Sequence, residues 1–176
     1  LISPIIFSLG NPQLNQRFAE TSIFSDLTVI EESNLRKERA GNTLLSRVIY
    51  HRYLLFGKEI LENFFDHFQA GFLFVSGDKN PRHSIQYMGT FYHIEAVFLL
   101  LGFYALSSRK TKYGWLLLWW LVIGIIPAAL TKTTPHALRI LPTLPVWMIL
   151  ISLGIQESLG LFKKYKNCKS KIHPYI

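Results

Sequence analysis

Apolar and polar residues are distributed unevenly along the chain, and the pattern changes near residue 85. Between residues 11 and 83 they alternate in short groups, whereas from Gln86 onward long apolar runs are interrupted by two short polar segments. Three of these runs are close to the roughly 20 residues that an α-helix needs to cross the hydrocarbon core of a bilayer. The pattern predicts an all-α, polytopic membrane protein with spanning helices at about 85–106, 115–130 and 138–156.

The first nine residues form an apolar segment about half as long as a spanning helix. Their composition predicts the outer end of a transmembrane helix that begins upstream of residue 1. We therefore expect the chain to be the C-terminal part of a longer protein.

Residues 10–84 predict an extracytoplasmic region of short amphipathic helices. Ser25 and Asp26 can cap a helix that runs to about Glu38, and Gly41-Asn42 is a typical helix-ending turn. Two further groups of apolar residues share helix faces: Leu44, Leu45, Val48 and Ile49, then Ile60, Leu61, Phe64, Phe65 and Phe68. These faces can contact the outer leaflet of a membrane or pack on one another, and the pattern leaves both interpretations open.

The charges predict the orientation of the spanning helices. Residues 10–87 contain nine Lys/Arg and nine Asp/Glu, while residues 88–176 contain ten and two, so the whole net charge of +8 arises in the second part. Eight of those ten basic residues lie in the loop 109–112 and in the tail 158–176. By the positive-inside rule, loop and tail are cytoplasmic, and residues 10–84 and 131–136 are extracytoplasmic.

Charge and cysteine content argue against a nucleic-acid partner and against sites built from cysteines. Membrane topology already explains the basic excess, so no nucleic-acid partner is expected. The single cysteine, Cys168, excludes a disulfide framework or a cysteine metal site within one chain.

One polar cluster that can support chemistry lies directly before the first predicted spanning helix. Turn-forming residues present Asp78, Lys79, Arg82 and His83 near the outer interface. Arginine and histidine can hold a phosphate through charge-assisted hydrogen bonds. The alternative is a solvated turn with an Asp78–Arg82 ion pair.

The second polar cluster joins the last two predicted spanning helices. Thr134 can serve as N-cap and Pro135 as the first helical residue, which would leave backbone N–H groups pointing outward. His136 and Arg139 would then share a face one turn into the helix, with Lys132 nearby. A helix N-terminus with these cations predicts a phosphate site. The alternative is that Arg139 extends to the interface as an ordinary membrane-edge arginine.

The residues of the two clusters resemble those of a known family. The matching runs are Phe72-Leu73-Phe74-Val75-Ser76-Gly77-Asp78-Lys79-Asn80-Pro81-Arg82-His83, Pro127-Ala128-Ala129-Leu130-Thr131 and Pro135-His136-Ala137-Leu138-Arg139, with Arg17-Phe18 and Ser22-Ile23-Phe24-Ser25-Asp26 upstream. They resemble the C-terminal part of bacterial membrane glycosyltransferases of the GT-C fold, similar to the dolichyl-phosphate-mannose–protein mannosyltransferases (family 39) and the aminoarabinose transferases.

This resemblance implies transfer of a sugar from a polyprenyl-phosphate donor, at the membrane, to an extracytoplasmic protein, lipid or glycan. The family's catalytic carboxylate lies in an earlier loop, so no catalytic residue is carried over to this chain. No cofactor and no metal are expected. The residues expected to contact the donor phosphate or its lipid are Asp78, Arg82, His83, Lys132, His136 and Arg139.

A second hypothesis from another class is a non-catalytic polytopic protein, such as a transporter or an assembly subunit. A transporter typically has ionisable residues or broken helices near the middle of the membrane. Here the polar residues collect at the predicted outer edge, which favours chemistry on a lipid headgroup. A soluble enzyme is excluded by the apolar runs.

Overall fold

A computed structural model describes residues 12–108 and 113–172. This part of the chain consists of helices and loops without a strand, which confirms the all-α prediction. The predicted helix end at residues 1–9 and the three basic residues of the loop 109–112 lie outside the described residues. The chain divides into two compact units, and each is described by itself.

Unit 1 comprises residues up to Phe68 together with Ile126–His136. Its helices are α1 (Pro12–Thr21), α2 (Leu27–Arg39), α3 (Leu44–Ile49) and α4 (Arg52–Asp66), with a 3₁₀ turn at Ile23–Ser25. Unit 2 comprises Gln69–Ile125 and the chain from Ala137 onward. It contains a π-helical segment (Gly71–Val75), α5 (His93–Ser108), most of α6 (Gly114–Ala129), a 3₁₀ turn (Leu141–Thr143) and α7 (Leu144–Ile172).

Local capping residues set the bounds of α2. The Asp26 carboxylate accepts hydrogen bonds from the backbone N–H of Thr28 at 3.0 Å and from its hydroxyl at 2.8 Å. The hydrogen bonds from the hydroxyl and the backbone N–H of Thr28 lower the pKa of Asp26, because both stabilise the ionised carboxylate. After the helix, Gly41 and Asn42 have φ angles of 73° and 54° and turn the chain. The predicted cap, helix and turn are all confirmed.

A short antiparallel bridge holds distant parts of unit 1 together. The backbone N–H of Ile23 donates to the carbonyl of Leu130 at 3.1 Å, and that of Lys132 donates to the carbonyl of Thr21 at 3.0 Å. Ile23 is fully buried and packs with Val29 of α2 and Phe56 of α4. The bridge therefore fixes the segment after α6 beside the small apolar core of the unit.

In unit 2, α5 and α7 pack with their backbones in close contact. A Cβ on Gly102 would overlap the carbonyl of Leu150, and a Cβ on Gly154 would overlap the carbonyl of Phe98. Glycines at helix contacts allow such an approach because they have no side chain. Around the contact, Val146, Trp147 and Leu150 of α7 are buried. The helix pair is therefore specified by two glycines that face backbone atoms of the partner helix.

Two predicted helix starts are wrong. The first expected span begins at His93 instead of residue 85, because residues 85–92 form a loop and the Glu95 carboxylate accepts the backbone N–H of Tyr92 at 2.8 Å, which caps the helix there. The third begins with a 3₁₀ turn at Leu141 instead of residue 138, and its α-helix continues to Ile172 through part of the expected tail. The middle span agrees with α6 to within a residue at each end.

One helical stretch among the described residues is long and apolar enough to cross a bilayer by length and composition. It covers Leu141–Asn167, 27 residues with a mean hydropathy of 1.5. The apolar helices α5 and α6 have 16 residues each. At about 1.5 Å per residue they extend about 24 Å, compared with a hydrocarbon core of about 30 Å. The predicted crossing of the bilayer by all three helices therefore stays a prediction.

We predict that Gly154→Leu disrupts the α5–α7 contact. The new side chain meets backbone atoms, which cannot move aside as a flexible side chain can. The free energy of unfolding should therefore decrease by about 3 kcal/mol or more. Gly160→Leu, in the same helix where nothing lies within 4 Å of a Cβ, is the matched control. Thermal unfolding of the detergent-purified proteins measures the difference, and equal melting temperatures would contradict the assigned packing.

Candidate functional site

The polar loop before α5 is organised around a buried carboxylate. Asp78 is only 4% exposed, and one of its oxygens accepts the backbone N–H of Asn80 at 2.9 Å. The preceding Gly77 has a φ of 68°, and a Cβ there would lie 2.9 Å from the carbonyl oxygen of Met88. The Asn80 side chain in turn accepts the backbone N–H of Arg82 at 3.1 Å. The burial of Asp78 contradicts the solvated-turn alternative for this residue, whereas Lys79 and Arg82 are exposed as that alternative expects.

Asp78 also joins the two polar clusters predicted from the sequence. Its second carboxylate oxygen accepts the backbone N–H of Ala137 at 2.9 Å, across 59 positions of the chain. Both oxygens thus receive backbone donors, and buried donors of this kind are costly to leave without a partner. The hydrogen bonds give Asp78 a positioning role, and its expected contact with a phosphate stays a prediction.

The predicted helix start at Pro135 is wrong. No helical turn begins before Leu141 in this segment, and the Thr134 hydroxyl donates to the side-chain oxygen of Asn63 at 2.8 Å instead of capping a helix. The next two backbone N–H groups, of His136 and Ala137, are bound by His67 and Asp78. A phosphate site made from free N–H groups of a helix is therefore not present here, and His136 and Arg139 are not related by a helical turn.

Arg139 is half-buried within unit 2. Desolvation lowers its pKa from the ordinary value, and the charge of Asp78 opposes that shift. Arginine titrates so far above neutral pH that the side chain keeps its charge. The result is a partly dehydrated cation, which binds an anion more strongly than a fully hydrated one does.

Two neighbouring cavities of unit 2 meet at this cluster. The polar-edged cavity has a volume of about 290 Å³ and is lined by Gly77, Asp78, His83, Ser84, Ile85, Met88, Gly89, Thr90 and Ala137. The apolar cavity has a volume of about 240 Å³ and is lined by His83, Thr90, Phe91, Ala137, Leu138, Ile140, Leu141, Thr143, Leu144 and Trp147. They share His83, Thr90 and Ala137. An amphiphile could place a polar group in one cavity and an apolar chain in the other.

The six predicted site residues are divided between the two units. Asp78 and His83 line the polar-edged cavity. Arg139 lines neither cavity, but its charge interacts with that of Asp78, and Leu138 next to it lines the apolar cavity. The other three are Arg82, His136 and Lys132. Arg82 is exposed and lines neither cavity.

The last two predicted site residues belong to unit 1. The Lys132 ammonium group is exposed and donates to the Ser25 carbonyl at 3.4 Å. The backbone N–H of His136 donates to Nε2 of His67 at 3.3 Å. Their expected contact with a donor phosphate stays a prediction.

A buried polar network in unit 1 was missed by the sequence reasoning. The Asn63 amide donates to the carbonyls of Ala129 at 3.2 Å and Thr131 at 3.3 Å. His67 is fully buried; because its Nε2 accepts an N–H, its Nδ1 carries the ring proton and donates to the Asn63 carbonyl at 2.7 Å. An asparagine and a histidine one helical turn apart, among the phenylalanines of α4, are the signal that could have indicated this network.

No group of three or more histidine, cysteine or acidic residues capable of holding a metal ion occurs within residues 12–108 and 113–172. Comparisons with protein-family models, curated proteins and solved structures found no match to this chain. The functional argument therefore rests on the two cavities, on the surrounding charges and on the motif residues.

We predict that Asn63→Ala destabilises unit 1 by about 2–4 kcal/mol, because three hydrogen bonds are lost and buried partners remain without them. Asn34→Ala, at an exposed position of α2, is the control. Thermal unfolding should show a clear decrease in melting temperature for the first variant alone. Identical curves would show that the network contributes little.

Asp78→Ala should release the two loops that Asp78 joins. The backbone N–H groups of Asn80 and Ala137 lose their acceptor, so hydrogen exchange at these two amides should accelerate at least about tenfold, as the loss of more than about 1.4 kcal/mol of protection implies. Lys79→Ala, exposed in the same loop, should leave both amides protected. Unchanged exchange at Ala137 in the Asp78 variant would contradict the joining role.

Proposed function

We propose that this chain forms the C-terminal, donor-binding part of an integral membrane glycosyltransferase that uses a polyprenyl-phosphate sugar. The proposal includes three membrane-crossing helices, α5, α6 and α7, with residues 10–84 on the extracytoplasmic side and the lysine-rich end of α7 in the cytoplasm. The acceptor is an extracytoplasmic protein, lipid or glycan. The proposal assigns no catalytic carboxylate to this chain.

The observation that carries the proposal is the meeting of a polar-edged and an apolar cavity at His83, Thr90 and Ala137. A polyprenyl-phosphate sugar has the same division, with a charged phosphodiester and its sugar at one end and an isoprenoid chain at the other. Leu141 and Leu144, in the lining of the apolar cavity, lie at the start of the stretch that is long enough to cross a bilayer. On this proposal a lipid chain in that cavity would leave it beside the outer end of that stretch.

The charges near the cavities suit a phosphate leaving group. When the bond between the anomeric carbon and the phosphate oxygen breaks, the bonding electron pair stays on that oxygen and negative charge accumulates there. Arg139 is a partly dehydrated cation, and His83 can donate a hydrogen bond at the junction of the cavities. The two backbone N–H groups that Asp78 accepts leave its negative charge in place, so a bound phosphate needs the positive charge of Arg139 to offset the repulsion.

The motif residues give the proposal its reaction type. The runs 72–83, 127–131 and 135–139 resemble those of GT-C glycosyltransferases, and the first and last supply four of the nine residues that line the polar-edged cavity. The non-catalytic alternative, a transporter or an assembly subunit, is distinguished by the experiment below.

The test is sugar transfer in membranes that contain the protein, supplied with polyprenyl-phosphate sugars. Arg139→Ala and His83→Ala should each lower kcat/KM, with a loss of about 100-fold for Arg139, because on this proposal its charge stabilises the negative charge that grows on the leaving phosphate. Arg139→Lys should recover part of the activity, because it keeps the charge but not the two-pronged geometry. Lys79→Ala, exposed beside the site, should retain full activity.

Two results would overturn the proposal. If the inserted and folded protein transfers no sugar from any donor, the non-catalytic membrane protein becomes the better interpretation. If transfer occurs but Arg139→Ala and His83→Ala match Lys79→Ala, the enzyme is established and the donor does not bind at these cavities.

A further inference from the structure

The helices α3 and α4 expose large apolar side chains to an unusual degree. Six of them form what we call the apolar patch, with exposed fractions of 82% for Leu44, 72% for Leu45, 68% for Val48, 50% for Ile49, 64% for Tyr53 and 57% for Leu54. Single exposed apolar residues are common on protein surfaces, but a contiguous group usually marks a contact surface.

The pattern of α3 is the reverse of that of a water-facing helix. Its four apolar residues are exposed, while its buried residue is Ser46 at 4%. The Ser46 hydroxyl donates to the Thr43 carbonyl at 2.8 Å, which satisfies it inside the unit. A helix that buries its serine and exposes its leucines is suited to an apolar environment outside the protein.

The other sides of α3 and α4 are already used for packing on α2. The Ser33 hydroxyl donates to the carbonyl of Tyr50, between α3 and α4, at 2.6 Å. Val29 of α2 packs with Phe56 of α4 in the core of the unit. The patch residues take no part in this packing, so an occupant of the patch leaves the core of unit 1 intact.

The charge around the patch decides which occupant fits. Between Glu38 and Glu59 the sequence contains no acidic residue and four basic ones, Arg39, Arg47, Arg52 and Lys58. Arg47 and Arg52 are exposed beside the patch, and the Arg52 guanidinium lies 5.2 Å from the centre of the Tyr53 ring. Arginine and tyrosine with an apolar face are typical of helices that lie in the headgroup region of a bilayer containing anionic lipid.

We propose that the apolar patch docks on the surface of an anionic phospholipid bilayer, with Leu45 and Val48 entering the acyl boundary and Arg47 and Arg52 contacting lipid phosphates. A second copy of the chain fits the patch less well, because self-pairing would bring the same arginines together and like charges repel. This surface is distinct from the two cavities, and the inference does not depend on sugar transfer.

Site-specific fluorescence on the full chain tests this docking. In a Cys168→Ser background, Leu45→Cys and Val48→Cys carry an NBD label, and Glu38→Cys, exposed on α2, is the matched control. The proteins are reconstituted in nanodiscs of phosphatidylcholine with or without phosphatidylglycerol, each with a doxyl quencher on the acyl chains. With the anionic lipid, both patch positions should show blue-shifted emission and quenching at least about twofold stronger than the control, as expected for an interfacial helix.

A charge variant completes the design. Arg47→Gln combined with Arg52→Gln should weaken the quenching at Leu45→Cys in anionic nanodiscs and leave it unchanged in phosphatidylcholine alone. Quenching at the patch equal to that at Glu38→Cys in anionic nanodiscs would overturn the proposal. The proposal would also be overturned if the emission shifts to the blue without lipid quenching and the shift grows with the number of copies per nanodisc. That result would indicate self-association.

Discussion

The buried carboxylate of Asp78 is the constraint on which the candidate site depends. A charged group at 4% exposure is tolerated only where donors surround it, and here the donors are backbone N–H groups from two segments that are 59 positions apart. This requirement holds the loop before α5 against the loop before α7, and both cavities are lined by residues of these two loops. The negative charge of Asp78 also opposes the lowering of the Arg139 pKa that burial causes.

The two units use buried polar groups in the same way. In unit 1, Asn63 and His67 bind backbone groups of the segment after α6, and the short bridge between residues 21–23 and 130–132 fixes that segment from another side. In each unit a long-range hydrogen bond from a single side chain determines the path of an irregular segment. Loops built in this way keep a defined conformation without regular secondary structure, as a binding site requires.

Local signals predicted local structure well and failed where distant contacts decide. The bounds of α2 follow from Asp26, Gly41 and Asn42, all of which act within a few residues of the helix ends. Thr134 and Pro135 have the composition of a helix start, yet the Thr134 hydroxyl is bound by Asn63 from 71 positions away, which no local pattern reveals. Asp78 and His83 were identifiable as polar residues in a turn. Thr90 and Trp147 were not, because neither stands in a charged or turn-forming motif and only the fold places them around a cavity.

The unequal lengths of the apolar helices have a consequence for the surrounding lipid. The stretch at Leu141–Asn167 has 27 residues, whereas α5 and α6 have 16 each, a difference in length of about 16 Å along the helix axes. In a protein whose three apolar helices all cross the bilayer, α5 and α6 are shorter than the hydrocarbon thickness, so the two leaflets must approach each other around them. Lipid beside the two short helices would then be compressed relative to lipid beside α7.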